Sequence, residues 1–445
     1  MGLLDGLKNL FKTETSSNEK QLLVSVIRFG RYSDNNKTLA KTNKWFEAER
    51  FYKEGKIEES INCTFDYLRD EKEDNVFLQK NENDYTFKIF QGTKILYGTI
   101  DNNEVRASVS LAEMQQNSIP VMRRLLEMNY SLNYTRYAMQ GNKLSMIFDT
   151  PKEMASPSKL YYGLKELATK ADKQDDLLVT DFATLKSVDD LHVEKFGEHE
   201  LEIKYSYFKK WIEETLFRVE TVNQDSFSGG IGYLLLSLIY RLDFLITPEG
   251  KLLHELETIN NLYWMNKEEK TSVERNQILK ESLKKIQSWP KEDVLRYFYR
   301  AKSTFAITLP KPMADIEDSI KVANENASWY LENNYKDFGL QVMEYGLAYC
   351  QYSYSLPKPI TQLFTLYMQV NYSDFFLALG YNLPYRNGES LHIQSIRTRI
   401  QEIIQEDKDR YPKLNIQLEK LKFSFLEEFN LSFLREIATL NFDAK

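Results

Sequence analysis

Five short stretches between Tyr85 and Phe182 alternate apolar and polar side chains, and two helical stretches lie among them. Their order along the chain is strand, strand, strand, helix, strand, strand, helix. Alternation with a period of two places every second side chain on the same face of a strand. Turn residues separate the strands that follow one another. The stretch is therefore predicted to fold as an antiparallel sheet with two helices.

The two helices of this stretch have recognisable starts. Ser118 is the expected N-cap of the first helix, with Pro120 in its first turn, and Ser156-Pro157 begins the second. The apolar face of the first helix is predicted at Val121, Leu125, Leu126 and Met128. The strands are expected at Tyr85–Phe90, Ile95–Ile100, Val105–Leu111, Asn133–Met139 and Leu144–Phe148.

Two segments of this stretch resemble a known family. They are RRLLEMNYSL, at Arg123–Leu132, and ASPSKLYYGLKELATKADKQDDLLVTDF, at Ala155–Phe182. The first resembles the helix-to-strand passage, and the second the closing helix, of type III secretion chaperone-like (YbjN-like) domains. The resemblance covers residues 85–182 of the 445. It implies a domain that holds other proteins and performs no chemistry, so it carries over no catalytic residue.

The N-terminal region is predicted to contain two kinds of helical structure. Residues 1–20 are expected to form an amphipathic helix followed by a polar tether. Three packing surfaces remain possible for the amphipathic helix: the rest of its own chain, another protein or a membrane surface. Residues 21–75 are expected to contain a helical hairpin that turns at Gly55. The apolar side chains of the amphipathic helix expected in residues 1–20 are Leu3, Leu4, Leu7, Leu10 and Phe11.

The remaining chain completes an α+β fold class. Residues 76–195 are assigned to the antiparallel-sheet, chaperone-like domain. Residues 200–445 show apolar side chains at helical spacing, interrupted by glycine and proline turn signals, and are predicted to form a large all-α domain of roughly ten helices.

Charge and apolar patterning limit the possible partners. The net charge is −7 and no basic cluster is present, which argues against nucleic acid. The start of the chain lacks the pattern of a signal peptide, which favours a cytoplasmic protein. Arg241 and Asp243 interrupt the longest apolar run, Ile231–Ile246, so a buried core helix is predicted and no transmembrane segment. Cys63 and Cys350 are expected to be free, buried thiols.

No group of residues in the sequence carries a recognisable catalytic, metal or cofactor signature. The carboxylates Asp172, Asp175, Asp176 and Asp181 are interpreted as a solvated helix end. Arg241, inside an apolar helix, is interpreted as half of a structural ion pair. We therefore expect no enzyme activity, no cofactor and no metal.

These observations predict a non-enzymatic bacterial protein-binding factor, a chaperone or adaptor that holds a client segment on its sheet and helical surfaces. Val105, Ala107 and Val109 are candidate contact residues if the third strand lies at a sheet edge. Two alternatives stay open: a structural subunit of a cell-envelope or secretion assembly, including a possible homodimer, and an enzyme with an unrecognised site. The candidates for insertion into a partner's groove are Leu3, Leu7 and Phe11.

Overall fold

The fold is described from a computed structural model. The structure describes residues 27–30, 36–70, 73–82, 84–188, 193–265, 267–301, 304–305, 308–382 and 384–443. The predicted amphipathic segment 1–20 lies outside these ranges, and so do the contact candidates Leu3, Leu7 and Phe11.

A seven-stranded antiparallel sheet forms one part of the molecule. Six strands follow the order β1-β2-β3-β4-β6-β5, and β7 pairs with the far end of β4. The five predicted strands are confirmed within a few residues, while β1 and β7 were not predicted. Their bounds are β1 Val76–Lys80, β2 Tyr85–Gln91, β3 Lys94–Ile100, β4 Glu104–Met114, β5 Arg136–Gln140, β6 Lys143–Pro151 and β7 Leu185–Ser187.

Four helices accompany the sheet. They are α1 Leu39–Lys53, α2 Ile57–Leu68, α3 Ile119–Asn129 and α4 Pro157–Asp181. The predicted hairpin is formed by α1 and α2, with Gly55 at φ +75° between them. It belongs to the sheet part, because Ile61, Phe65 and Leu68 of α2 join the apolar core between the sheet and α4. The hairpin is thus a packing element and not a separate layer.

Val105, Ala107 and Val109 lie in the interior of the sheet. Their strand, β4, has β3 on one side and β6 on the other, so the condition under which they were proposed as contact residues is not met. All three side chains are at most 1% exposed and pack in the core that α4 covers. The alternating apolar residues of this strand mark its buried face. In this fold their side chains are not accessible to a partner.

The second part of the molecule is helical, which confirms the α+β fold class. Short strand pairs, β8 Val193–Lys195 with β9 Tyr299–Ala301 and β10 Arg386–Asn387 with β11 Ser390–Leu391, lie among the helices. The helices are α5 Glu198–Glu220, α6 Ser228–Arg241, α7 Gly250–Met265, α8 Ser272–Gln287, α9 Lys291–Leu295, α10 Met313–Glu332, α11 Lys336–Ser353, α12 Lys358–Asn371, α13 Ser373–Ala378, α14 Ile393–Glu406 and α15 Leu426–Ala438.

The chain crosses between the two parts more often than the predicted domain order implies. Phe29 packs in the helical part, with its ring 5.1 Å from that of Phe376, and the Gly30 N–H donates to the Phe244 carbonyl at 2.8 Å. In the opposite direction, Phe305 is buried in the core of the sheet part. The two parts are therefore tied by exchanged side chains as well as by the chain itself.

Ser228–Ile246 is long and apolar enough to cross a membrane, by length and composition alone. In this fold 83% of that window is buried inside the protein, at the centre of the helical core. Such burial is what a core helix requires. The predicted absence of a transmembrane segment stays a prediction.

Candidate functional site

A cavity of about 1220 Å³ lies between the sheet part and the helical part, and we call it the junction cavity. Its walls come from residues 27–30, the turn between β2 and β3, the C-terminal half of α4, the end of α6 and the loop from α11 to α12. Charged side chains of the wall pair across it: Lys173 Nζ lies 2.7 Å from Glu257 Oε2, and Arg28 Nη1 lies 3.2 Å from Glu73 Oε1. The wall combines apolar surface with charged side chains of both signs, and these charges largely offset each other.

Asp172 and Asp176, in the C-terminal half of α4, form one side of this cavity, and Asp175 is buried beside them. Asp172, Asp175 and Asp176 are three and four residues apart, which places them on the same face of the helix. Asp172 accepts a hydrogen bond from the backbone N–H of Thr93 at 2.7 Å and one from the Gln91 side chain at 3.3 Å. We call these three residues the aspartate cluster.

The backbone of the β2–β3 turn is shaped around Asp172. Gly92 has φ +54°, a conformation that side chains disfavour. A Cβ at this position would lie 1.8 Å from Asp172 Oδ1, so the close approach requires glycine as well. The turn therefore presents the Thr93 N–H to the carboxylate only because residue 92 has no side chain.

Two further residues connect the cluster to the rest of the molecule. Lys94 is fully buried, and its Nζ lies 2.9 Å from Asp175 Oδ2 and donates to the Val188 carbonyl at 2.7 Å. The hydroxyl of Tyr299, on β9 of the helical part, donates to Asp176 Oδ2 at 2.6 Å. The cluster thus joins the sheet, α4 and the helical part at one point.

Burial favours the protonated form of two members of the cluster, Asp172 and Asp175. Desolvation raises the pKa of Asp172 to about 6, against the hydrogen bonds from Thr93 and Gln91 that favour the charged form. Desolvation and the charge of Asp176 likewise raise the pKa of Asp175, against the Lys94 ammonium. The buried atoms Asp175 Oδ1 and Gln91 Oε1 have no hydrogen-bond partner within the described ranges. This geometry can accommodate a protonated Asp172. If the Gln91 side-chain amide rotates by half a turn, its Oε1 faces the carboxyl group and can accept a hydrogen bond from it.

The sequence-based interpretation of these carboxylates as a solvated helix end is wrong for Asp172 and Asp175. Asp175 is buried, and both accept hydrogen bonds from the β2–β3 turn. A signal was present in the sequence: Lys94 lies at the same phase of β3 as Leu96 and Ile100, both core residues, and a buried ammonium requires a carboxylate. Across the described part of the chain, no three histidine, cysteine, aspartate or glutamate side chains are grouped to hold a metal.

The predicted ion pair of Arg241 is confirmed. Arg241 Nε lies 3.0 Å from Glu344 Oε1 on α11, and both side chains are almost fully buried. Tyr372 donates to the other carboxylate oxygen of Glu344, and Gln341 bonds both Arg241 and Tyr372. This network holds α6 against α11, beside the turn of π-helix at Leu242–Ile246 that contributes Asp243 and Phe244 to the cavity wall.

The other face of the sheet is open to solvent. Register places Phe77, Lys88, Tyr97, Ser108, Ile147 and Arg136 in one row across it. Phe77 is 43% and Tyr97 45% exposed. Phe77 also contacts the Phe90 ring, with centroids 5.6 Å apart, and Ile95 lies opposite Phe90. We call Phe77, Phe90, Ile95 and Tyr97 the apolar corner; serines of β4 and β6 continue the face beyond it.

Both outer strands of the sheet have a backbone group capped by a side chain. Arg69 Nε donates to the Val76 carbonyl of β1 at 3.1 Å, and Asn129 Oδ1 accepts from the Tyr137 N–H of β5 at 2.8 Å. Such caps obstruct the addition of another strand. The open face is therefore more accessible than either outer strand.

A second exposed apolar surface lies on α3. Val121 and Leu125 are buried as predicted, whereas Leu126, predicted to share their face, is 71% exposed. With Ile119, Met122 and Tyr130 it forms a stripe at helical spacing, which we call the α3 stripe. Exposed apolar stripes of this kind mark contact surfaces more often than isolated exposed residues do.

Comparison with known proteins adds no family to these observations. A scan against the profiles of protein families and a search of curated proteins found no match to the chain. The resemblance of residues 85–182 to type III secretion chaperone-like domains therefore stays a prediction.

Proposed function

We propose that this protein is a non-enzymatic protein-binding factor, a chaperone or adaptor, that holds a client segment on the open face of its sheet. The observation that carries the proposal is the apolar corner, in which phenylalanine and tyrosine rings stand half exposed on a rigid antiparallel scaffold. Aromatic side chains with exposed area contribute large contact surfaces at low entropic cost. The capped edges direct a client toward the face and away from strand addition.

The serine-lined part of the open face beside the apolar corner, which we call the floor, suits an amphipathic helix as the client segment. Ser108, Ser110 and Ser145 are small side chains of the open face and lie on the neighbouring strands β4 and β6. Small residues allow a helix to approach the sheet closely, while Tyr97 and Phe77 would cover its apolar side. The client class is accordingly a protein with an amphipathic helical segment.

A photo-crosslinking experiment in the native cell tests this function. Replacement of Tyr97 by a benzophenone amino acid is expected to trap a defined client, and Ser108→Arg is expected to abolish the trapping by filling the floor. The control carries the benzophenone at Phe217 on α5 of the helical part, a ring that is more exposed than Tyr97 (71% against 45%) and therefore at least as accessible to a protein in solution. A Tyr97 probe that traps no more protein than the Phe217 probe would contradict the proposal.

A structural subunit of a larger assembly is the second candidate, and the α3 stripe favours it. This surface lies on the helix-covered side of the sheet, away from the open face, so one molecule could contact two partners or a second copy of itself. Light scattering of wild type and Leu126→Asp tests it: loss of an oligomer in the variant supports an assembly role, and a monomer in both opposes self-assembly.

The other expectations stay predictions from the sequence. They are a bacterial, cytoplasmic protein that needs no cofactor and does not bind nucleic acid. An enzyme with an unrecognised site stays the third alternative, for which the junction cavity is the place to look.

A further inference from the structure

We propose that the client segment held on the open face is acidic: it is an amphipathic helix that places a carboxylate against Lys88 while its apolar side chains cover Phe77 and Tyr97. This assignment rests on the proposed function, because the client occupies the same surface. What it adds is the sign of the client's charge and the residue that recognises that charge.

The open face is cationic although the protein as a whole is anionic. The described strands place five cationic and three anionic side chains on this face, so its net charge is +2, against −7 for the whole chain. A segment with negative charge is therefore attracted to this face, while the rest of the protein is on balance anionic and repels it. The cationic side chains are Lys88, Arg106, Arg136, Lys143 and Lys186, and the anionic ones are Glu104, Glu113 and Asp149.

The three carboxylates of the face already have cationic neighbours. Glu104 Oε1 lies 2.8 Å from Arg106 Nη2, and Asp149 Oδ1 lies 2.6 Å from Arg136 Nη1. The third carboxylate, Glu113, lies opposite a lysine on each of the neighbouring strands β6 and β7. The net positive charge of the face therefore comes from its lysines.

Lys88 is the lysine whose position selects the class of client. It lies on β2, directly opposite Phe77 of β1 on one side and Tyr97 of β3 on the other. Its Nζ is 5.7 Å from the centre of the Tyr97 ring. The next residues of β2 on this face are Thr86 and Phe90, so within the described ranges no carboxylate lies beside Lys88 on the face.

A client that covers the two half-exposed rings also removes water from the Lys88 ammonium. Burial of an ammonium without a partner is costly, because nothing replaces its hydration. A client with an aspartate or glutamate at this point supplies the partner, whereas a lysine or arginine there adds repulsion between like charges. Lys88 is therefore expected to favour an acidic client and to reject a basic one.

The positions of the other cations fit a helix laid along β4 and β6, over the floor. Arg106 lies opposite Asp149, and Lys143 precedes Asp149 by six residues on β6, which is about 20 Å along the strand. An α-helix of about 14 residues spans that distance. Lys88 is two strands from β4, about 10 Å away, and so lies beside the flank of such a helix. Carboxylates on this flank and at both ends of the helix would each meet a cation.

Peptide binding to the purified full-length protein tests the proposal. The probes are two fluorescein-labelled amphipathic peptides of about 14 residues with identical leucine sides, one with glutamates and the other with lysines at the remaining positions. Fluorescence anisotropy at low ionic strength is expected to show that the acidic peptide binds about tenfold more tightly or better. Lys88→Glu should weaken binding of the acidic peptide by about tenfold and strengthen binding of the basic one.

Lys170→Glu is the matched control, because it makes the same change of charge at an exposed lysine of α4, on the other side of the sheet. It should leave the preference for the acidic peptide unchanged. Equal binding of the two peptides to wild type, or equal losses in Lys88→Glu and Lys170→Glu, would overturn the acidic class and leave the open face as a client surface.

Two further outcomes would also reject the proposal. If neither peptide binds, the client is not an amphipathic helix, and crosslinking at Tyr97 in the cell then decides separately whether the face holds a client of another kind. If vesicles of phosphatidylglycerol bind in a manner that depends on Lys88 while the acidic peptide does not bind, the face contacts an anionic lipid surface and not an acidic protein segment.

Discussion

Single residues at the β2–β3 turn decide how α4 packs on the sheet. Gly92, Thr93 and Lys94 each meet an aspartate of α4, through close backbone approach, a hydrogen bond and an ion pair respectively. The sequence identified this turn and the acidic run separately. It did not join them, because residues 92–94 and 172–176 are brought together only by packing of α4 on the sheet.

Gly92→Ala is expected to destabilise the protein more than the same change at Gly141. Both glycines have positive φ, which costs an alanine about 1 kcal/mol. At Gly141 a Cβ meets nothing within 4 Å, whereas at Gly92 it would displace Asp172 and lower the unfolding free energy by about 2 kcal/mol more. Urea denaturation of the two variants measures the difference, and equal losses would mean that the turn can shift without cost.

Asp172 is expected to make stability depend on pH. Its pKa is raised from 3.8 to about 6 in the folded protein, so the folded state binds this proton more tightly than the unfolded chain does. The stabilisation is complete below pH 4 and is lost as pH rises through about 6. Asp172→Asn, which is permanently neutral, should flatten the decline in urea midpoint between pH 4.5 and 7.5. The control is Asp181→Asn, at the exposed end of the same helix; a decline as steep in Asp172→Asn as in this control would refute the assignment.

At the scale of elements, the sequence predicted those whose pattern is local. The five alternating strands, the N-cap positions Ser118 and Ser156 and most helices of residues 200–443 follow from periodicity and turn residues. Of these two serines, Ser156 caps its helix with a side-chain hydrogen bond and Ser118 does not. Residues 292–305 and 411–441, within the predicted all-α domain, were expected to be helical, but the first segment contains β9 and the second is α-helical only over Leu426–Ala438. Their apolar spacing arises from burial against other helices, as for Tyr297 and Leu414, and period alone cannot separate such segments from helix.

The edge caps are expected to prevent sheet-to-sheet association. Arg69→Ala combined with Asn129→Ala would expose the Val76 carbonyl and the Tyr137 N–H on opposite edges of the sheet. We expect faster aggregation at high concentration, followed by thioflavin fluorescence, with a cooperative unfolding transition retained. Arg123→Ala, an exposed arginine of α3, is the control; aggregation of the double variant at the control's rate would show that the caps are dispensable.

The whole molecule contains two apolar cores. They are joined by polar contacts at the junction cavity, such as those from Tyr299 to Asp176 and from Lys173 to Glu257, and we call these contacts the seam. One core lies between the sheet and its helices, and the other fills the helical part. The predicted order of domains describes both, but no pattern in the sequence places Phe29 in the helical core or Phe305 in the sheet core. Exchanges of this kind depend on contacts between residues hundreds of positions apart.

Tyr299→Phe is expected to weaken the coupling between the two cores. The change removes the 2.6 Å hydrogen bond to Asp176 and retains the ring, at a cost of about 2 kcal/mol for a bond to a charged acceptor. Calorimetry should show the unfolding of the two parts separating in temperature. Tyr162→Phe, at an exposed tyrosine of α4, should leave the profile unchanged, and identical profiles for both variants would argue against a role of the seam in cooperativity.

The packing of Phe29 and Gly30 in the helical part also affects the folding of the chain during its synthesis. Residues 27–30 leave the ribosome early, but their partners Phe244 and Phe376 follow about 215 and 350 positions later, which is tens of seconds at ordinary rates of elongation. During that interval the apolar start of the chain has no native partner, and the sheet still awaits Phe305. Nascent chains of this protein therefore expose Phe29, and leave uncovered the part of the sheet core that Phe305 packs against, until these later segments have been synthesised.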